Sequence, residues 1–501
     1  MAVFLGIDVG TQSVKLVAYD ADRRGIVKTC HYALNLISRD DGSREQLACW
    51  WLTAIRSCFD ELDRNIKSRV KAIGVSGQQH GFVPMDQNGQ VLAPVKLWCD
   101  TSTVDECNEI TQAIGGTEEL ISIAGNPILP GYTASKVRWL KKHKPDAYAE
   151  MATILLPHDY INYYLTGELF MEYGDASGTG WLNIHTRQWS SEILVAMDNE
   201  RDLKECLPSL VPPDEAKKIS KSVAEEFGLS YDTIVSPGGG DNMMTAIGTG
   251  NVMEGCLTMS LGTSGTIFAC SDKPAIDPKG DFAAFCSSTG GWLPLLCTMN
   301  CTVATETVRN LMNLELTQIE SLLDNTRTGA DGIVTLPFYN GERTPDLPHG
   351  KGCIMGLDLQ NTTVENLFRS AMEGATYALR YGFEAFERAD LSFNSICVTG
   401  GGAASTGWRQ MIADVFQLPV TTLQQQEGGA LGAALQSLWV YRTGQGHGER
   451  ISDIVAEHLR VEDSLTYEPN PRASADYNEY YQTYLNHLDA ISPIYAGGKN
   501  E

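Results

Sequence analysis

The sequence predicts an α/β protein built as two similar lobes in tandem, and three observations carry that prediction. The first is length: 501 residues exceed one ordinary core, allowing roughly three domains at about 150 residues each, or two large lobes. The second is an internal duplication, the pattern to be sought before any other motif. Residues 4–20 read FLGIDVGTQSVKLVAYD and residues 257–272 read LTMSLGTSGTIFACSD: an apolar strand, a Gly-Thr turn, then a β-rich strand ending in Asp. Aligning Gly10-Thr11 with Gly262-Thr263 sets the copies about half the chain apart and puts Asp20 opposite Asp272. The third is that each half closes on a glycine turn opening a helix of small residues, Gly238-Gly239-Gly240-Asp241-Asn242 in one and Glu427-Gly428-Gly429 in the other. Strands before glycines and helices after them give an α/β arrangement in each half. The expected units are residues 1–248 and 249–501, with the boundary in the stretch from Thr249 to Glu254.

Between these landmarks, Leu367, Phe368, Ala371, Ala375, Ala378, Leu379, Gly382 and Phe386 follow helical spacing, so a helix is expected over 367–386. The segment from Ile396 to Ala403 reads as a buried strand entering a glycine loop, and Trp408 to Phe416 as a helix. The tail after Tyr467, rich in Tyr, Asn and Asp, predicts one more helix and a frayed end.

Composition narrows the function. Lys and Arg number 38 against 62 Asp and Glu, a net charge of −24, which repels phosphate backbones and argues against nucleic acid as a partner. Any phosphate must be gripped locally, by backbone N–H groups and a metal. Thirteen Cys without a C-x-x-C pair signal neither a disulfide framework nor a zinc site. The uncharged stretch 282–305 is interrupted by Ser, Thr, Asn, Gly290-Gly291 and Pro294, so no membrane span is read there. The N-terminus carries Asp8 and lacks the basic-then-apolar order of a secretory signal. The expectation is a cytoplasmic protein.

Several residue groups carry chemistry. Gly10-Thr11-Gln12-Ser13 joins two strands, and such a turn can point backbone N–H groups at an anion, with the Thr11 and Ser13 hydroxyls as further donors. Gly262-Thr263-Ser264-Gly265-Thr266 offers the same from the second lobe. Either turn alone could be a plain hairpin, but two in matching context favour a polyphosphate held from both sides. Asp8 stands two residues before the first turn, where the second copy has Ser260. One carboxylate beside a phosphate turn suits Mg²⁺, which takes one or two carboxylates with waters and phosphate oxygens.

Asp241 follows three glycines at a helix start, so it either caps that helix or faces a cleft as a base. The glycines favour the base, since they let a substrate approach the main chain, and a hydroxyl attacking a phosphoryl group needs such an acceptor. Ser76-Gly77-Gln78-Gln79-His80-Gly81 and Leu97-Trp98-Cys99-Asp100 combine amide, imidazole, indole and carboxylate groups, the mixture that binds polyols. Gln79, His80, Trp98 and Asp100, with Asn242 beside Asp241, form the candidate sugar site. Gly400-Gly401-Gly402, which ends the strand from Ile396, leaves room for an adenosine.

In this order the motifs resemble the FGGY carbohydrate kinases, a branch of the actin, hexokinase and Hsp70 ATPase-fold superfamily, over nearly the whole chain. Gly352-Cys-Ile-Met-Gly356-Leu357 followed by Asn366 to Glu373 is similar to the family's C-terminal signature. Leu156-Pro-His-Asp-Tyr160, Asp175-Ala-Ser-Gly-Thr179 and Trp408 to Phe416 match in sequence order. The resemblance implies two ribonuclease H-like lobes around a cleft, with ATP and Mg²⁺ as cofactors and a small sugar as partner. It implies Asp241 as general base and Gln79 with His80 on the sugar. It further implies Asp8 near Mg²⁺, Thr11 and Thr263 on the ATP phosphates, and Gly400, Gly401 and Ser405 around the adenosine. The reaction implied is phosphorylation of the 5-hydroxyl of D-xylulose, with ribulose, fuculose or erythritol as alternative acceptors and a non-catalytic sensor as the rival from another class. Gln79 stands where Met is usual and Cys99 where Asn is frequent, which bears on the identity of the sugar. Association as a homodimer is left open.

Overall fold

The computed structural model describes residues 2–423, 427–459 and 465–496. Its first sheet is built on β1 (Val3–Val9), β2 (Ser13–Asp20), β3 (Gly25–Ala33), β4 (Val70–Gly77) and β5 (Ile234–Val235). In space the order is β5-β4-β1-β2-β3, with β1 antiparallel to β2 and parallel to β4. The second sheet is built on β6 (Cys256–Leu261), β7 (Gly265–Ala269), β8 (Trp292–Thr298), β9 (Ser395–Thr399) and β10 (Val420–Thr422). Its order, β8-β7-β6-β9-β10, has β6 antiparallel to β7 and parallel to β9. The two sheets therefore repeat one topology. Central strands such as β1 are apolar on both faces because helices cover both.

The duplicated turns differ by one residue. Val9 pairs with Val14 across four intervening residues, whereas Leu261 pairs with Gly265 across three. The alignment of Asp20 with Asp272 consequently slips: Asp20 is buried at the end of β2 and held by Arg69, while Asp272 lies beyond β7 and is exposed.

The helices relevant to the site are α1 (Pro157–Thr166), α2 (Asp241–Gly248), α3 (Thr302–Leu311), α4 (Val364–Arg388), α5 (Thr406–Phe416), α6 (Gly428–Gly444) and α7 (Pro471–Ala496). The helix expected over 367–386 is the interior of α4, started by the Thr363 hydroxyl accepting the Asn366 N–H at 3.2 Å. The expected tail helix is α7, whose Tyr477, Tyr481 and Tyr484 are buried around Tyr377 of α4; the frayed end lies outside the described residues.

The sequence halves are not sealed from each other. α6, from the second half, lies on the first sheet, where a Cβ on Gly6 or Gly74 would strike the carbonyl oxygens of Ala430 or Ala433. It also crosses α2 backbone to backbone, because a Cβ on Gly432 would collide with Met244 O and one on Gly248 with Gly428 O. One apolar cluster joins Phe4, Val17 and Ala72 of the first sheet, Phe268, Leu293 and Leu295 of the second, and both helices between them. All thirteen Cys are free thiols, and among the described residues no helix is long and apolar enough to cross a membrane.

Candidate active site

β1, β4 and the short strand Gly239–Gly240 run parallel, and their register sets Asp8, Ser76 and Gly239 abreast. Asp8 and the helix start at Asp241 therefore emerge at the same end of the first sheet. In the second sheet Ser260 pairs with Thr399, so the second Gly-Thr turn and the Gly400 loop also leave their strands side by side. Ligands of α/β sheets gather at such carboxyl ends.

Between the halves lies a cavity of about 280 Å³, near the lower end of the ~300–1,000 Å³ usual for small-molecule sites. Thr11, Gln79, His80, Trp98, Asp241, Asn242 and Gly262 line it, joined by Asn126, Tyr132, Ser264, Phe285 and Arg343. Asp241 does not cap its helix: Gly240 holds the N-cap position and Asp241 is the first helical residue. Its Oδ1 accepts from the Asn242 N–H at 2.8 Å. Burial, with repulsion from Asp8 and Asp175, pushes its carboxyl up to about 8.

His80 adopts φ +64°, a left-handed conformation uncommon outside glycine. Its carbonyl is pinned there by the Lys136 ammonium at 2.7 Å and the Thr133 hydroxyl at 3.2 Å. Nδ1 stands 2.6 Å from Gly178 O. A carbonyl only accepts, so Nδ1 carries the proton. Burial depresses the ring to about 3, so the imidazole is neutral and Nε2 is an acceptor. The Gln79 amide oxygen accepts from Asn242 Nδ2 at 2.9 Å, while the buried Gln79 Nε2 has no protein partner. A bound hydroxylated ligand would thus meet one acceptor and one donor that the protein leaves unused.

Behind the floor, His158 of α1 is buried between two carboxylates, Nδ1 at 2.6 Å from Asp175 Oδ2 and Nε2 at 2.9 Å from Asp159 Oδ1. The pair of carboxylates holds the imidazole well above its ordinary value. Asp8 accepts the Ser76 hydroxyl at 2.6 Å, and burial raises its carboxyl. Its cross-strand neighbour Lys15 pairs with Glu427. One carboxylate, Asp8, beside the first Gly-Thr turn fits the donor share that a hydrated Mg²⁺ takes from protein when phosphates and waters supply the rest.

Two expectations require correction. Asp100 does not reach the cavity: it is buried, with Oδ2 accepting from Lys96 Nζ at 3.0 Å and Arg44 N at 2.9 Å, and Oδ1 from the Ser102 N–H and hydroxyl. Its neighbour Lys96 is nearly fully buried, so a carboxylate is needed there to balance that charge. The Thr11 hydroxyl is not a free phosphate donor. It donates to Gln78 Oε1 at 3.0 Å and accepts the Trp98 indole N–H at 2.9 Å, fixing the indole in the wall.

The remaining phosphate and adenosine candidates are not among the residues lining the cavity. Gly10 N–H closes its own turn on Ser13 O at 3.0 Å, and Gln12 is exposed. Thr263 is exposed, its hydroxyl unpartnered among the described residues, and its carbonyl accepts from Cys301 and Val303 N–H at the start of α3. Gly400 has φ +85°, and Gly401 and Gly402 follow in a tight turn. Ser405 caps α5, its hydroxyl accepting the Trp408 N–H at 3.1 Å.

Tyr132, Phe285 and Arg343 are absent from the sequence reading. Each comes from a loop or strand far along the chain from any glycine motif, and only the fold brings them to His80. Asp175 and His158 do lie in motifs quoted above, although buried polar residues next to apolar ones were their only signal.

Two lobes of one duplicated topology, closing on a cavity of mixed polar and apolar walls with a basic carboxylate on its floor and two Gly-Thr turns at its rim, define a phosphotransferase that acts on a small hydroxylated molecule. Residues 3–248 match the N-terminal domain of the FGGY family of carbohydrate kinases, and residues 257–441 match its C-terminal domain. The chain belongs to the FGGY family of carbohydrate kinases and is an ATP-dependent sugar kinase. It is 42% identical over 497 residues to a xylulose kinase of Haemophilus influenzae, covering 98% of this chain and 100% of that one. A crystal structure of a xyloylose kinase from Brucella ovis superposes with a TM-score of 0.90 at 29% identity, covering 98% and 100% of the two chains. A gluconate kinase from Lactobacillus acidophilus reaches the same TM-score at 24% identity over 99% of each chain, a likeness of fold alone.

Proposed function

We propose that this kinase transfers the γ-phosphoryl group of ATP to the 5-hydroxyl of D-xylulose. The observation that carries the proposal is Asp241, a carboxylate raised to about 8 on the floor of a cavity that offers a neutral His80 acceptor and an unused Gln79 donor. The xylulose kinase relative, matched end to end, supports the pentulose over other acceptors.

In this reading the substrate hydroxyl lies against Asp241. Its oxygen forms the new bond to phosphorus as the bond from phosphorus to the β,γ-bridging oxygen breaks, ADP leaves, and the hydroxyl proton passes to the Asp241 carboxylate. A carboxylate of raised proton affinity is a stronger base than an ordinary one. His80 Nε2 and Gln79 Nε2 orient the sugar, and the Trp98 and Tyr132 rings cover its C–H faces. Thr263, with the backbone of both turns, holds phosphate oxygens, and the Gly400–Gly402 loop takes the adenosine. Asp8 would hold the Mg²⁺ that accompanies the nucleotide, which when bound offsets phosphate charge. Residues 1–248 supply sugar site and base; residues 249–501 supply the second turn and the adenosine loop. With thirteen free thiols, a reducing cytoplasm is the proposed location.

The test is a competition. ATP, Mg²⁺ and a mixed pool of pentuloses, hexuloses and polyols are incubated with the protein, and phosphorylated products are identified by mass spectrometry. Xylulose phosphate is expected to dominate; a different dominant product, or none, overturns the proposal.

A further inference from the structure

Arg343 lines the sugar cavity from the second half of the chain, and nothing in the chemistry above uses it. It is the one permanently charged cation among the cavity-lining residues. Its backbone is fixed with unusual completeness. Glu342 is buried, its Oε1 accepting the Met299 N–H at 2.6 Å and the Arg343 N–H at 2.8 Å, its Oε2 accepting Asn300 Nδ2 at 3.0 Å. Glu342 and Leu347 exchange backbone hydrogen bonds in both directions, and the Thr344 hydroxyl donates to Asp281 O at 3.0 Å. The guanidinium, by contrast, has no hydrogen bond or ion pair among the described residues. It reaches across the cleft toward the first half, with Nη2 4.0 Å from where a Cβ on Gly131 would stand, beside Tyr132 and His80, both of which feel its charge.

Arg343 is exposed to solvent where it lines the cavity, so its donors are free for a ligand that enters there. Arg369, which is buried, spends its donors on Glu373 and Tyr477 instead. We propose that Arg343 is a substrate-contacting residue: its fork of donors binds oxygen atoms of the sugar from the side opposite the first-half wall. Because His80 and Gln79 hold the sugar from one half and Arg343 from the other, sugar binding would draw the halves together. This rests on the reading of the cavity as a sugar site.

The test compares wild type with Arg343→Ala and Arg343→Lys. Calorimetry with D-xylulose in the absence of ATP measures sugar binding directly, and steady-state assays give separate KM values for sugar and ATP. Arg343→Ala is expected to weaken sugar binding and raise sugar KM about tenfold, leaving ATP KM within about twofold and the melting temperature unchanged, with partial recovery in Arg343→Lys. Sugar binding unchanged in Arg343→Ala overturns the inference, as does a rise confined to ATP KM. A wild type that binds xylulose but yields no product defeats the proposed function instead, and the calorimetric comparison still decides Arg343.

Discussion

Asn242 holds the Gln79 amide in one orientation. Its Nδ2 donates to Gln79 Oε1 at 2.9 Å while standing 3.1 Å from Asp241 Oδ1, so the Gln79 oxygen is used and its nitrogen is left over in the cavity wall. Three polar side chains thus form a chain that runs from the sugar site to the base. Gln79→Met keeps the length of the side chain but removes its donor and its acceptor. The variant is expected to lose about tenfold in kcat/KM for xylulose, equivalent to ~1.4 kcal/mol, and to narrow its preference between ketoses. Equal kcat/KM for wild type and variant across a sugar panel would remove Gln79 from the set of sugar contacts.

The raised carboxyl of Asp241 sets the pH dependence. A base must be ionised to accept a proton, so kcat/KM for sugar is expected to rise with unit slope up to about pH 8 and level off above it. His80, depressed to about 3, adds no break near its ordinary value of 6.5. Asp175 is one of two carboxylates that raise Asp241, and Asp175→Asn should move the limb to lower pH. A profile that stays flat from about pH 6 to 8 contradicts the assignment.

The same residue links pH to stability. Asp241 binds its proton more tightly folded than unfolded, where its ordinary value is 3.8. Folding is therefore favoured by this group below about 4, and the contribution is lost as pH rises through about 8. Asn cannot ionise. Asp241→Asn is expected to melt above wild type at pH 8 to 9, with the gap closing as pH falls toward about 4, while turnover drops about 10²–10⁴-fold. A variant that melts below wild type at high pH would show that the carboxylate is needed for folding and is not strained by burial.

Periodicity and glycine placement made the architecture legible. The largely apolar β1 and β6 each announce a central strand, and the small residues from Gly428 onward announce a helix packed against backbone. What those residues could not reveal was the partner: α6 crosses to the first sheet because Gly6 and Gly74 each remove a Cβ at a contact hundreds of residues away. Asp241, Gln79 and His80 were legible because glycines flank them in sequence. Asp100 misled because a buried carboxylate balancing Lys96 has the same local sequence character as one that faces a ligand. Arg343 was invisible because its meaning depends on what stands across the cleft.

The three glycines after β9 separate a nucleotide role from a structural one. A Cβ on Gly402 would lie 2.8 Å from Leu261 Cβ and 2.9 Å from the Trp408 ring, whereas a Cβ on Gly401 would meet no protein atom within 4 Å. Gly402→Ala should therefore destabilise by about 1–3 kcal/mol through overpacking, visible as a lower melting temperature at any nucleotide concentration. Gly401→Ala adds its methyl to open space on the outer face of the loop, so the melting temperature of the free protein should hold. If adenosine lies against that face, ATP KM should rise severalfold in Gly401→Ala and further in Gly401→Val, with sugar KM unchanged. A folded Gly401→Val with wild-type ATP KM would mean that the nucleotide base binds elsewhere, and the open face of the loop would then need another explanation.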